Sequence, residues 1–181
     1  TAEKLINSAK NSFAVTFSKE HFTFQLKLLI EQIKFIDNQV KECETKIKEL
    51  MKKINSPITT IPGIGPVLGA VIISEFGDIS RFDKPSKLVA YAGIDATISQ
   101  SGEFEGTHNV MSKRGSPYLR KALFQAALVA SNSDPVLKDY YQKKRAEGKH
   151  HKTCIGAVAR KMCNIIYAVL KNNKPYEVPK Q

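Results

Sequence analysis

The chain has 181 residues, 42% of them hydrophobic, enough for a packed core, which excludes wholesale disorder. It carries 28 Lys and Arg against 17 Asp and Glu, a formal charge of +11, an excess that points to a polyanion such as nucleic acid or to an anionic membrane surface. No apolar run reaches membrane-spanning length, and TAEKLINSAK at the start has neither the basic beginning nor the apolar middle of a signal peptide, so a cytosolic protein facing nucleic acid is expected.

Thr1 in place of Met reads as the start of a fragment or a processed chain. Cys43, Cys154 and Cys163 have neither zinc-knuckle nor CxxC spacing and read as plain buried thiols in a reducing compartment.

The strongest pattern lies between residues 22 and 54. Apolar residues fall at Phe22, Leu26, Leu29, Ile33, Ile36, Val40, Cys43, Ile47, Leu50 and Ile54, alternating spacings of four and three. That is the seam of a left-handed coiled coil, about 50 Å long, whose β-branched residues at Ile33, Val40, Ile47 and Ile54 suit a two-stranded pairing of copies. The alternative is a long helix laid against its own domain or against a helix from residues 1–20.

Asn55, Ser56 and Pro57 end that helix. A glycine turn, PGIG, then opens a helix from Pro66 to about Phe76, with Gly77 as its stop. A short helix follows in KPSKLVAYAG, capped by Asp83 and ended by Gly93. Residues 94–112 hold glycines and β-branched residues with no helical period and read as a loop or short hairpin. Ser116 with Pro117, and Asp134 with Pro135, start two further helices, the first reaching about Ala130 and the second ending at Gly148. The last helix spans about 152–171, and the tail after Asn172 reads as loose.

Three features bear on chemistry. Gly63 and Gly65, in the turn before a helix N-terminus, can expose backbone N–H groups to a phosphate, as in the second half of a helix-hairpin-helix motif; they can equally serve close helix packing. From 106 to 133 there is no acidic residue, while Lys113, Arg114, Arg120 and Lys121 lie inside. Farther on, Lys143, Lys144, Arg145, Lys149, His150, His151 and Lys152 form a basic cluster broken only by Glu147, and these segments read as phosphate contacts. Third, Ser99 and Ser101 with Gly102 sit in a polar loop just before the basic region. A serine there can attack a phosphodiester while cations hold the charge that develops, although loop Ser-Gly pairs are common. The carboxylates do not gather as a Mg²⁺-dependent nuclease needs, so no metal is assigned. His108 reads as a solvated loop histidine, with general base for the serine as the sharper alternative.

The run TTIPGIGPVLGAVIISEFGDISRFDKPSKLVAYAGI, then QSG, then SKRGSPYLRKALFQAA, resembles the C-terminal region of the transposases of the insertion-sequence family numbered one-hundred-and-ten, related to the pilin-gene invertases. It covers about residues 57–171 and rests on three motifs in order, with the coiled coil ahead of them where the family has one.

The resemblance implies a recombinase in which a serine of this region attacks DNA and forms a phosphoserine link. The composite site would be completed by an N-terminal RuvC-like domain whose acidic DEDD residues bind Mg²⁺. It also implies association of subunits through the coiled coil and guidance by a structured RNA. Carried onto this chain, Ser101 of QSG is the nucleophile, with Ser99 as substitute; Lys113, Arg114 and Arg120 fall where the family has basic residues; and Gly63 and Gly65 match its glycine turn. The DEDD domain is missing from this chain, so the chain alone is expected not to cleave or rejoin DNA and to hold no cofactor.

The expectation is therefore a mainly α fold. A coiled-coil segment, 1–56, leads into a compact helical nucleic-acid-binding domain, 57–181, with a helix-hairpin-helix-like motif. Its partners would be DNA, a guide RNA and a second copy of itself in the bacterial cytoplasm beside the nucleoid, with no membrane. The rival readings are a dimeric DNA-binding module without chemistry, and a coiled-coil assembly protein whose basic surface balances an acidic partner.

Overall fold

The computed structural model describes residues 2–12, 19–96, 100–101, 104–105 and 110–178. They are mainly helical: α1 Ala2–Lys10, α2 Lys19–Ile54, α3 Pro66–Phe76, α4 Pro85–Tyr91, α5 Pro117–Ser133, α6 Pro135–Ala146 and α7 His151–Asn172, with 3-10 turns at Pro57–Thr60 and Ile79–Arg81. Two short strands, β1 Gln100–Ser101 and β2 Phe104–Glu105, pair antiparallel, so the hairpin that the 94–112 pattern allowed is present.

The chain forms two compact units, Thr1–Thr45 and Lys46–Gln181. The division falls inside α2 and not at its end, because Met51 is buried in the core of the second unit and Ile47 packs against that core. Toward the start of α2 the seam is open: Phe22, Leu26, Leu29, Ile33, Ile36 and Val40 are all exposed, as is Cys43. The expected burial of the cysteines therefore holds for Cys154 and Cys163 alone.

In the second unit, α5 and α7 lie against each other, with α3 and α6 on α5 and α4 on α7. The local signals explain the element ends. Ser116 and Asp134 accept hydrogen bonds from the N–H of Leu119 (3.3 Å) and Leu137 (2.8 Å), and each is followed by a proline at the first helical position. Gly77 and Gly148 take positive φ just past α3 and α6. For α4 the capping residue is Lys84 rather than Asp83, and no side chain caps it.

The core side chains include Ile58, Ile72, Phe76, Leu88, Leu119, Leu123, Met162 and Ile166, each worth about 1.5–3 kcal/mol on burial. By length and mean hydropathy, 1.3 over its most apolar window, α7 could cross a membrane. Half of that window is buried in the unit, and its apolar face is the core contact with α4, α5 and α6.

The segment after α7 is held, contrary to the loose tail expected. Tyr176 N–H donates to Thr60 Oγ1 (2.8 Å), and its hydroxyl donates to Asp134 Oδ2 (2.8 Å). No local sequence pattern announces such a long-range pair.

Candidate nucleic-acid interface

The site is built on a crossing of two glycine backbones. Gly93, just beyond α4, has φ +66°, and Gly115 sits where a Cβ would lie 1.9 Å from the Tyr91 carbonyl oxygen. Only glycine allows so close an approach. Around it, Lys113 N–H donates to Gly93 O (3.0 Å), Ser112 N–H donates to Asp95 O (3.0 Å), and the Ser112 hydroxyl donates to the Asp95 carboxylate. Ala96 and Met111 form an antiparallel bridge. The two stems of the loop between them are thus fixed to one framework.

Arg120 serves that framework as well. Its Nη1 donates to Gly115 O (3.3 Å) and Ala92 O (3.5 Å). A residue read from the sequence as a phosphate contact is therefore partly committed to bracing α4 against the turn before α5.

Ser101 lies in β1, opposite Phe104 of β2. Ser99, Gly102 and His108 lie outside the described residues.

Beside the loop stems, a groove of about 690 Å³ opens between the first turns of α5 and α7. Lys113, Arg120, Lys121, Lys152 and Arg160 line it, and none of the described residues that line it is acidic. Pro117 and Thr153, from the first turns of the two helices, also line it. The fold joins the two basic segments here: Lys113, Arg120 and Lys121 come from one, Lys152 from the other. Arg114 is exposed on the turn next to Lys113, which has a left-handed φ of +54°.

Arg160 of α7 lies outside both basic segments that the sequence shows. Its Nε is buried with no hydrogen-bond partner among the described residues.

The rest of the second basic cluster is largely self-satisfied. Lys144 and Lys149 both bind the Glu147 carboxylate, at 2.8 and 2.7 Å, and Arg145 donates to the Lys149 carbonyl (2.7 Å). Hydrogen bonding from Lys144, then from Lys149, holds the Glu147 carboxyl at about 2. Lys143 is exposed. His150 caps α7 by accepting from Lys152 N–H (3.3 Å), and His151 Nδ1 pairs with the Tyr141 hydroxyl (2.8 Å). Among the described residues no three His, Cys, Asp or Glu side chains gather as a metal site would require.

The glycine turn divides its roles. Gly63, at φ +88°, faces α5: a Cβ there would lie 2.4 Å from Ala126 O, so this glycine serves close packing. Gly65 is exposed at the N-cap of α3 with open space around it and no side-chain cap, which leaves the first N–H groups of α3 accessible.

A profile of the transposase IS116/IS110/IS902 family matches residues 55–142, which take in the glycine turn, the loop stems and the whole of α5. The chain carries a transposase domain of this family.

The chain is also similar to curated insertion-element proteins and to a pilin gene-inverting protein. It is 33% identical over 124 residues to the insertion element IS110 uncharacterized 43.6 kDa protein of Streptomyces coelicolor, covering 67% of this chain and 30% of that protein. It is 32% identical over 120 residues to the insertion element IS900 uncharacterized 42 kDa protein of Mycobacterium paratuberculosis, covering 66% and 30%. It is 32% identical over 123 residues to the pilin gene-inverting protein of Moraxella bovis, covering 67% and 38%. The chain therefore spans about a third of the length of the relatives that it matches.

Proposed function

We propose that this chain is the DNA-handling part of a transposase or recombinase, and that the groove between α5 and α7 is its nucleic-acid contact. The observation that carries this reading is the groove itself: five cations and the first turns of two helices, with no carboxylate among the described residues that line it, beside the pinned stems of the loop that holds Ser101. Phosphates are the ligands that such a lining recognises without reading base sequence.

Ser101, with Ser99 as substitute, supplies the nucleophile. Its Oγ forms a bond to phosphorus as the phosphodiester bond to one sugar oxygen breaks. The serine proton passes to a base, and the freed sugar hydroxyl takes one up. The number of phosphate ester bonds is unchanged, so strand rejoining needs no outside energy source. Cations of the groove hold the charge that builds on the phosphorane. The Mg²⁺ site belongs to an acidic domain expected elsewhere in the whole protein, and no step here runs through it.

The open seam of α2 pairs copies of the chain as a coiled coil, and a structured RNA and DNA are the partners of the assembly, in the bacterial cytoplasm beside the nucleoid. Gly65 and the start of α3 add a backbone phosphate contact of the helix-hairpin-helix kind.

The test uses the full-length parent with Mg²⁺, guide RNA and labelled donor DNA. A denaturation-resistant protein–DNA adduct should form in the wild type and vanish in Ser101→Ala. An adduct that survives both Ser101→Ala and Ser99→Ala moves the chemistry elsewhere and leaves a dimeric DNA-binding module.

A further inference from the structure

The groove has a floor unlike that of a plain phosphate track. Phe124 and Met111 meet there above Gly156 of α7, where a Cβ would lie 3.4 Å from Phe124 Cζ and 3.7 Å from Met111 Cε. Phe124 is only half-buried, although its neighbours Leu123 and Ala126 are fully buried. A duplex offers its phosphates outward and keeps its bases stacked, so it needs cations and no ring in a recess. An aromatic ring beside a thioether, rimmed by cations, suits the face of an unpaired base. The volume, about 690 Å³, also falls in the roughly 300–1,000 Å³ range of small-ligand pockets.

We propose that this groove takes an unstacked nucleotide of a single strand, with the base against Phe124 and Met111 and the phosphate among Lys121, Lys152 and Arg160. The proposal rests on the reading of the groove as a nucleic-acid contact and adds the state of the strand that it holds. DNA and RNA offer the same chemistry here, so the test includes both.

The 181-residue chain is titrated, at one fixed salt concentration, against fluorescent oligothymidylate, oligouridylate and a DNA duplex of equal length. Phe124→Leu should weaken single-strand binding about five- to hundredfold, the range set by stacking one base on a ring, and leave duplex binding within about twofold. Gly156→Ala places a methyl in the floor at ordinary contact distance and raises helix propensity, so it should not unfold the chain. It should weaken single-strand binding several-fold at an unchanged or raised melting temperature. The double change Lys121→Gln with Lys152→Gln should weaken all three probes.

Equal weakening of duplex and single strand by Phe124→Leu, or single-strand binding untouched by it, overturns the proposal and leaves the groove a phosphate site. Indifference of every probe to the lysine changes overturns the nucleic-acid reading as well. Tighter oligothymidylate or tighter oligouridylate binding, if lost with Phe124→Leu, supports the proposal and names the strand.

Discussion

Gly93 and Gly115 meet backbone to backbone: a Cβ on Gly93 would lie 2.5 Å from Gly115 N, and one on Gly115 would lie 2.7 Å from Gly93 N. Neither neighbour can yield, since both atoms belong to the main chain. Gly115→Ala should cost about 2–4 kcal/mol, and Gly93→Ala a similar amount with its positive φ included. Thermal unfolding checks this, and a melting temperature unchanged in both variants would refute the crossing as the framework of the loop stems.

Glu147 restrains two lysines of the second basic cluster. Its folded-state carboxyl lies at about 2, below the ordinary 4.5, so the bonds to Lys144 and Lys149 are intact above pH 4.5 and are lost as pH falls toward 2. Glu147→Gln removes the negative charge at every pH. If the two freed lysines extend the contact made in the groove, the change should tighten nucleic-acid binding several-fold and steepen the salt dependence by about one to two counterions. Equal salt slopes for variant and wild type would show that Lys144 and Lys149 do not face the phosphate backbone.

Tyr176 links the last segment to the buried Asp134. Tyr176→Phe leaves one carboxylate oxygen with a partner fewer, a loss of about 1–3 kcal/mol. Burial, and then the bond to Asp134, pushes the Tyr176 hydroxyl up to about 12 from an ordinary 10.0. A raised folded-state value means that the contribution is whole below pH 10 and fades as pH climbs through 12. Stability of the wild type should therefore fall faster than that of Tyr176→Phe over that alkaline range, and parallel curves would count against the pair.

The seam of α2 gives a prediction about assembly. Ile33→Asp with Val40→Asp places charges at two exposed core positions of the heptad, outside the core of the second unit. Sedimentation should show the wild type as an oligomer and the double variant as a monomer with its far-ultraviolet spectrum of the second unit retained. A monomeric wild type would remove the coiled-coil pairing.

Helix starts were legible because their signals are local: Ser116 with Pro117, and Asp134 with Pro135, state the cap and the first turn within two residues. The long-range features were not. The groove unites Lys113 with Lys152 and Arg160, residues that no sequence window holds together, and Arg160 stands apart from both basic segments. Phe124 likewise reads as another buried apolar residue of α5, since periodicity reports which face turns inward and not where that face is left open. Charge counting finds the basic segments but cannot see that Glu147 and a carbonyl already occupy Lys144, Arg145 and Lys149. The same blindness applies to Gly63: its residue type announces a tight turn, and only the nearby Ala126 carbonyl shows what the turn is pressed against.

The hydrogen bond from Tyr176 to Thr60 brings the closing segment of the second unit onto its opening turn. A tie between parts so far apart in sequence makes the turn after α2 and the segment after α7 open together, so cutting the chain after Asn173 should loosen the turn at Pro57–Thr60 as well.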